Sequence, residues 1–413
     1  MNKLSTASLR SEVRVVSFDL DNTLWNTSET IAAANDALAT FLDSKNITQP
    51  KRVEQIMGDL FQSNKARYCP IEKEDAKAPV LLTLLRKDAI QTVLEEYNGF
   101  DSQQAEELTD LAFDEWARAR HDAIPTHFAP FVHDCLRRIA SIRTSSGHAV
   151  VIGAITDGNS DPTCVEGLSD YFQFCVNAER VGVSKPDKRV FLRAVSQMMD
   201  HPALTDVWPS MNDHGGEKDD VDLEKMAEDV IGPWWIHIGD DFVKDVVASK
   251  SLSMRSVWSR ELVLHKFQNE ATAPSIPANG ATEKSVEDLV KQVSEMKVVR
   301  MQVGADDYLA DSLQQEFADA VVDRFEELGN LLHEWHRAAL PETSDGTTET
   351  STARNGVASF ATDRTMESKR PPCTFDKRQT ETSSKSTKFC MFCGTKLPVV
   401  AKFCSACGKK QEA

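Results

Sequence analysis

Two carboxylates set two residues apart, Asp19 and Asp21, close the string VRVVSFDLDNT at residues 13–23. The β-branched apolar run before them reads as a parallel strand buried on both faces, and in open α/β sheets ligands gather at the carboxyl ends of strands. Crowded acids repel, so both stay ionised only beside a metal ion or another cation. The chemistry that fits is Mg²⁺-assisted attack by one carboxylate on an electrophile, with the other moving the proton. Taken alone, the string also reads as an ordinary strand end with two solvated acids.

Three later segments favour the chemical reading. An apolar run from Ala149 to Ile155 ends on Thr156-Asp157-Gly158-Asn159, a hydroxyl and a tight turn able to hold a phosphoryl oxygen. Lys185 precedes Pro186 in GVSKPDKRVF, and the run WWIHIG ends on Asp240 and Asp241, with Asp245 a helical turn beyond. A lysine and a hydroxyl suit the non-transferring oxygens of a phosphoryl group. Asp240 can complete an oxygen set for Mg²⁺, a hard ion, and Asp245 is spaced to orient Lys185.

These motifs, FDLDNT, ITDGN, VSKP and GDDFVKD, resemble those of the haloacid dehalogenase-like hydrolase superfamily over roughly residues 12–295. The resemblance implies a Rossmann-like doubly wound parallel α/β sheet with an inserted helical cap. It makes Asp19 the nucleophile that becomes an aspartyl-phosphate, and Asp21 the general acid/base whose backbone carbonyl also binds Mg²⁺. By the same resemblance Thr156, with Asp157 and Gly158 in its turn, and Lys185 grip the phosphoryl group; Asp19 and Asp240 bind the metal, and Asp241 a metal-bound water. Within the superfamily, ITDGNSDPTCVEGLSDYFQF, SKP and HIGDDFVKDV look most like the riboflavin-pathway branch. That branch acts on 5-amino-6-(5-phospho-D-ribitylamino)uracil, with relatives hydrolysing FMN or other small esters. The chain has Asp157 where such proteins commonly carry asparagine. Hydrolytic dehalogenases of the superfamily use the first aspartate but lack the second acid and need no metal, so Asp21 and Asp240 favour phosphoryl transfer.

The elements that must position these groups follow from pattern. At 413 residues the chain suits two or three domains. Its net charge of −17 makes it a poor general binder of nucleic acid or anionic membrane. No apolar run of about eighteen residues and no secretory leader are evident, and with the scattered cysteines a cytoplasmic location is expected; the resemblance implies a small phosphorylated metabolite as substrate. The catalytic core is expected at 12–26 and 129–298, with an acidic insertion at 200–232 carrying a short helix around Leu223 and Met226. Met254–Trp258 reads as a strand and Ser285–Val293 as the helix closing the core.

Residues 27–128 read as a cap of helices. Thr27 or Ser28 caps a helix through Leu42, with Ile31, Ala34, Leu38 and Leu42 on one face. Pro50 opens a second, Pro79 a third, and Asp101–Arg120 a fourth containing Leu108, Leu111, Ala112, Glu115 and Trp116. Arg86, Lys87, Trp116 and Arg118 are candidates for gripping the rest of the ligand, set against the plainer reading of solvated or packing residues.

Beyond the core, 305–339 is expected to form an extra amphipathic helix. Leu309, Leu313, Phe317, Val321, Phe325, Leu328, Leu332 and Trp335 recur at steps of three and four. Packing on its own catalytic domain and self-association or partner binding are both open. Residues 341–387, rich in Ser, Thr, Lys and Arg, read as a flexible, disordered linker.

Residues 388–410 carry Cys390 and Cys393, then Cys404 and Cys407, each pair a CxxC followed by glycine. That is the spacing of a small zinc ribbon, a closed tetrahedral and therefore structural Zn²⁺ site. So short a segment depends on the metal to fold; two disulfides are the alternative. The remaining cysteines, Cys69, Cys135, Cys164, Cys175 and Cys373, are scattered, as in a reducing compartment. Lys388, Lys396, Lys402, Lys409 and Lys410 admit nucleic acid, whereas Phe389, Phe392 and Phe403 fit equally a protein contact or a cover for the metal; a protein partner is the expectation. Two functional classes follow: an Mg²⁺-dependent phosphatase with a tethered zinc module, or a scaffolding protein with residual hydrolase activity.

Overall fold

The structure is a computed structural model that describes residues 11–70, 78–204, 207, 220–264 and 316–340, and of 220–224, 387–389 and 396–398 the backbone alone. Six strands, β1 (Val15–Phe18), β2 (Val151–Thr156), β3 (Phe172–Asn177), β4 (Trp235–Gly239), β5 (Arg255–Ser259) and β6 (Ala320–Val322), form one sheet in the order β3-β2-β1-β4-β5-β6. Every pairing is parallel. Strands β1, β2, β4 and β5 are buried at every position, which is why β1, β2 and β4 read as largely apolar runs; β3, on an edge, alternates.

Alternate residues of β1 feed two cores. Val16 and Phe18 pack with α6 (Val132–Ala140) and with α11 (Phe325–Ala339), introduced below, through Leu136, Ile139, Phe325, Leu328 and Leu332. Val15 and, from β2, Val151 and Ile155 pack on the other face with α8 (Lys188–Met198) through Val190, Phe191 and Val195. A short α7 (Ala178–Val181) precedes α8, and α9 (Asp220–Val230) lies against it. The chain runs outward through β2 and β3, then returns past β1 to β4. Ligand sites of doubly wound sheets sit at such a reversal.

The cap comprises α1 (Thr27–Ser44), α2 (Val53–Ser63), α3 (Lys65–Tyr68), α4 (Leu82–Asn98) and α5 (Ser102–Ala123). Thr30, Ala34, Leu38 and Leu42 are the buried stripe of α1, whose N-cap is Asn26. Neither proline opens its helix: Arg52 and Leu81 are the N-caps of α2 and α4, and Pro50 and Pro79 lie two residues further back. Asp101 caps α5 by accepting from the Gln104 N–H at 2.9 Å. Leu111, expected among its core residues, is exposed; Thr109, Ala112, Phe113, Trp116, Ala117 and Arg120 form the buried face.

Of the long helix expected over 305–339, residues 305–315 lie outside the described residues, and the rest is not one continuous helix. Ala320–Val322 is the sixth strand, pairing Val257 with Ala320, Trp258 with Val321 and Ser259 with Val322, and Phe325–Ala339 is helical. Asp319 fixes the strand: its carboxylate accepts from the Ser256 N–H at 2.9 Å and the Lys250 ammonium at 2.5 Å. The Phe325 N–H then donates to Glu261 at 2.6 Å, starting the helix. A three-residue strand between apolar helical positions does not break a 4-3 rhythm, so periodicity alone missed it. Helix α11 packs on α6 of its own domain, which extends the core beyond the expected boundary at 298.

Among the described residues no helix is long and apolar enough to cross a membrane. Residues 346–413 form a second unit in which Thr387–Phe389 and Lys396–Pro398 pair as an antiparallel hairpin, with Cys390 and Cys393 in the intervening sequence. The four ribbon cysteines, most of the 341–387 linker, the 208–219 part of the acidic insertion and the Ser285–Val293 helix lie outside the described residues.

Candidate active site

The first carboxylate sits where β1 stops. Asp19 donates its N–H to the Ile238 carbonyl of β4 at 2.8 Å, so its backbone is an extension of the sheet. Its Oδ1 accepts from the Lys185 ammonium at 2.6 Å. Burial, helped by the nearby charges of Asp245 and Asp21, outweighs Lys185 and pushes the Asp19 carboxyl up to about 7.

Lys185 is 1% exposed, yet all three of its ammonium protons have acceptors: Asp19 Oδ1 at 2.6 Å, Asp245 Oδ1 at 2.6 Å and the Ile155 carbonyl at 3.1 Å. Burial works against its charge, but Asp19, Asp245 and Asp157 together hold it above the ordinary lysine range.

Asp245 stands on a π-helical turn, Phe242–Val247, that runs into α10 (Ala248–Ser251). Its Oδ2 accepts the Asp241 N–H at 3.0 Å and its Oδ1 lies 3.3 Å from His237 Nε2. Burial opposes ionisation of Asp245, but Lys185 and His237 more than compensate and hold it well below the usual carboxylate range. Burial pushes the His237 imidazole down, so it sits there neutral. A neutral ring that donates to Asp245 from Nε2 has Nδ1 free to accept from the Ser17 hydroxyl at 2.9 Å. Ser17 in turn accepts the Trp235 indole N–H at 2.7 Å. Every donor in this buried chain then has an acceptor.

Asp21 follows on a tight turn in which Asn22 adopts a left-handed φ of 61°, a conformation asparagine tolerates. Its Oδ1 accepts from Trp25 Nε1 at 3.2 Å, the Thr27 hydroxyl at 3.0 Å and Arg120 Nη2 at 3.0 Å. Its Oδ2 points at Gly158, where an added methyl would overlap it and come within 3.5 Å of Thr156 Oγ1. Thr156, fully buried at the end of β2, accepts the Gly158 N–H at 3.1 Å. Asp157 faces elsewhere: it accepts from the Lys185 N–H at 2.9 Å and pairs with Lys244 at 3.1 Å.

Asp240 directly follows β4, half-buried, with the Thr23 hydroxyl donating to its carboxylate at 3.3 Å. Burial and the neighbouring Asp19, Asp245 and Asp241 charges raise its carboxyl well above the ordinary value. The Asp241 carboxylate instead caps the π-helical turn, accepting from the Val243 and Lys244 N–H groups at 3.0 Å.

Asp19, Asp240 and Asp245 each bring a carboxylate oxygen within 4.8 Å of the others. Hard oxygen donors crowded on a buried, mutually repelling set fit a divalent cation such as Mg²⁺. Of the expected ligands, Asp19 and Asp240 are in this cluster, whereas the side chains of Asp21 and Asp241 are engaged as described above.

Two expected cap residues are surface residues. Lys87 pairs with Asp110 at 2.7 Å, and Arg118 with Glu115 and Asp122 on its own helix. Arg86 and Trp116 are buried. Sequence reading missed Arg120, which is 3% exposed and donates both to Asp21 and, at 2.5 Å, to Asn159. Its signal was present: Arg120 lies four residues after Trp116, on the apolar stripe of α5. It missed His237 too, a lone polar residue inside the apolar run WWIHIG.

Residues 13–205 match the family model of haloacid dehalogenase-like hydrolases, and residues 389–411 match that of the zinc-ribbon domain. No curated protein matches the chain. Among solved structures it is similar to a 2-haloacid dehalogenase from Pseudomonas syringae pv. Tomato DC3000, at 21% identity over 78% of this chain and 99% of that one, with a TM-score of 0.46. A putative HAD-hydrolase from Bacillus subtilis bound to magnesium is similar at 14% identity over 78% and 99%, TM-score 0.37. A HAD phosphatase from Thermococcus onnurineus is similar at 13% identity over 78% and 98%, TM-score 0.34. The parallel sheet and its inserted helices, over the matched segment, have the haloacid dehalogenase-like hydrolase fold. The matches thus cover a hydrolase-like segment at 13–205 and a zinc-ribbon segment at 389–411.

Proposed function

We propose that this protein is an Mg²⁺-dependent phosphatase that hydrolyses a small phosphorylated metabolite through an aspartyl-phosphate on Asp19. The observation that carries the proposal is the division of labour between the two acids of FDLDNT. Lys185 occupies Oδ1 of Asp19, and Oδ2 takes no hydrogen bond among the described residues. Oδ2 is therefore the attacking atom. Three donors fix Oδ1 of Asp21, which turns its Oδ2 towards Thr156 and Gly158.

Asp19 Oδ2 forms a bond to phosphorus as the bond to the ester oxygen breaks, and Asp21 gives that oxygen its proton. Asp21 then takes a proton from water as the water attacks phosphorus, which releases inorganic phosphate and restores Asp19. Lys185 and the Thr156 hydroxyl bind the non-transferring oxygens. Asp19 and Asp240, with the Asp21 carbonyl, would hold Mg²⁺, whose charge lets neighbouring carboxylates stay ionised and offsets that of the phosphoryl group. Dehalogenation needs neither a second acid nor a metal, and Asp21 and Asp240 then have no task.

Turnover of p-nitrophenyl phosphate by the full chain, abolished by Asp19→Asn and by EDTA, tests the proposal. A folded protein that hydrolyses no phosphate ester with Mg²⁺ present would overturn it. The panel should include 5-amino-6-(5-phospho-D-ribitylamino)uracil and FMN, the substrates to which the motif resemblance points. Asp21→Asn should form the phosphoenzyme poorly and break it down slowly.

A further inference from the structure

Two arginines of the cap lie against one indole. The Arg86 guanidinium stacks on Trp116 with Cζ 3.8 Å from the ring centroid, and Arg120 Cζ lies 5.7 Å from the same centroid. Both are nearly fully buried, 7% and 3% exposed. Arg120 has Asp21 as a counter-charge at 3.0 Å, yet its Nε is buried without an acceptor. Arg86 has no carboxylate within ion-pair distance among the described residues. Its Nη1 donates to a neutral amide oxygen, Asn35 Oδ1 at 2.9 Å, which Trp116 Nε1 already uses at 2.9 Å. Its Nε and Nη2 have no partner there.

A buried cation facing another cation is costly unless an anion completes the set. Burial, reinforced by Arg120 and only partly offset by Glu54, pushes Arg86 down to about 10. The pair also borders the reacting groups. Arg120 bonds Asp21 and Asn159, and Asn159 Nδ2 donates at 3.3 Å to the hydroxyl of Thr83, one turn before Arg86 on α4.

We propose that Arg86 and Arg120, both set against Trp116, form a second oxyanion subsite in the cap, so the substrate carries a carboxylate or a further phosphate besides its scissile phosphoryl group. Guanidinium forks match both groups bidentately, and stacking on the indole pre-orients Arg86. The subsite names a substrate class for the phosphatase chemistry above and, for its role in turnover, rests on it.

Two matched pairs of esters test it: 3-phosphoglycerate against glycerol 3-phosphate for a carboxylate, and fructose 1,6-bisphosphate against fructose 1-phosphate for a second phosphate. With the full chain and Mg²⁺, kcat/KM for the charged member of one pair should exceed its partner's by on the order of 10- to 100-fold. Arg86→Met should bring that ratio near unity, and Arg86→Lys should restore part of it. Equal rates within both pairs would overturn the subsite and leave the phosphatase proposal standing. If no ester turns over, that proposal fails instead, and calorimetric binding of the same four compounds decides the subsite. Tighter binding of a charged member, lost in Arg86→Met, supports it; equal binding within both pairs overturns it.

Discussion

The Lys185 ammonium lies 2.6 Å from Oδ1 of Asp245, and neither side chain is more than 2% exposed. Such a pair stabilises only while it is complete, because loss of one partner strands the other's charge in a low-dielectric interior. Asp245→Asn leaves Lys185 with Asp19 as its remaining carboxylate partner. The lysine then binds Asp19 more tightly and loses the anchor that aims it at a phosphoryl oxygen. We expect a stability loss of about 3–5 kcal/mol in urea unfolding and a fall in kcat of on the order of 10²-fold. Wild-type kinetics in a folded Asp245→Asn protein would show that Lys185 needs no such anchor.

The raised Asp19 carboxyl has a consequence for stability. Its folded value is about 7 against an ordinary 3.8. Between those values the unfolded chain has released the proton while the folded one retains it, so stability falls as pH rises from about 4 to about 7. The slope is bounded by about 1.4 kcal/mol per pH unit for one proton. Melting temperatures of EDTA-treated wild type and Asp19→Asn, measured across this window, should diverge because the asparagine variant lacks the slope. Mg²⁺ should flatten the wild-type curve. Parallel melting curves in EDTA would mean that Asp19 titrates like an exposed carboxylate.

Much of the site was legible because its parts are strand ends. Asp19, Thr156 and Asp240 each follow an apolar run that could only be a buried strand, and parallel pairing in register brings those ends to one edge of the sheet. Side-chain direction was not legible. Asp157 and Asp241 stand next to site residues in sequence, yet one bonds a backbone N–H and a lysine while the other caps a helix. Spacing gives a residue's neighbourhood and leaves its rotamer to packing. Arg120 and His237 were hidden for the opposite reason: a polar residue in an apolar stripe is explained only by a partner more than eighty residues away or on the next strand.

Gly158 is a position where size decides function. A methyl group there would overlap the Oδ2 of Asp21, the atom assigned to proton transfer. Gly158→Ala should therefore displace Asp21 without emptying a core, lowering kcat on p-nitrophenyl phosphate by about 10- to 100-fold while urea unfolding changes by less than about 1 kcal/mol. Unchanged turnover would place the Asp21 carboxylate away from the reacting oxygen.

The ribbon makes a prediction independent of catalysis. Four thiolates at two CxxC knuckles would close the coordination shell of one Zn²⁺ and leave no position for substrate. The purified chain should carry about one equivalent of zinc by elemental analysis, lost in Cys404→Ser. Turnover by the hydrolase domain should survive that substitution. Full zinc retention in Cys404→Ser would show that the ligand set is wrong.

The final prediction concerns the strand and helix that the periodic pattern concealed. Phe325 is fully buried with its ring centroid 6.1 Å from that of Phe18, the residue directly before Asp19, and its N–H is held by Glu261. A free amphipathic helix or a coiled coil would leave the core intact on losing one aromatic, and any cost would fall on self-association. In this fold the loss opens a cavity beneath β1, against α6, so Phe325→Ala should destabilise the monomer by about 3–5 kcal/mol. That loss should not vary with protein concentration, because the contacts are within one chain. Urea unfolding at two concentrations tenfold apart measures both quantities. A cost below about 1 kcal/mol, or a midpoint that rises with concentration, would detach this helix from the catalytic core.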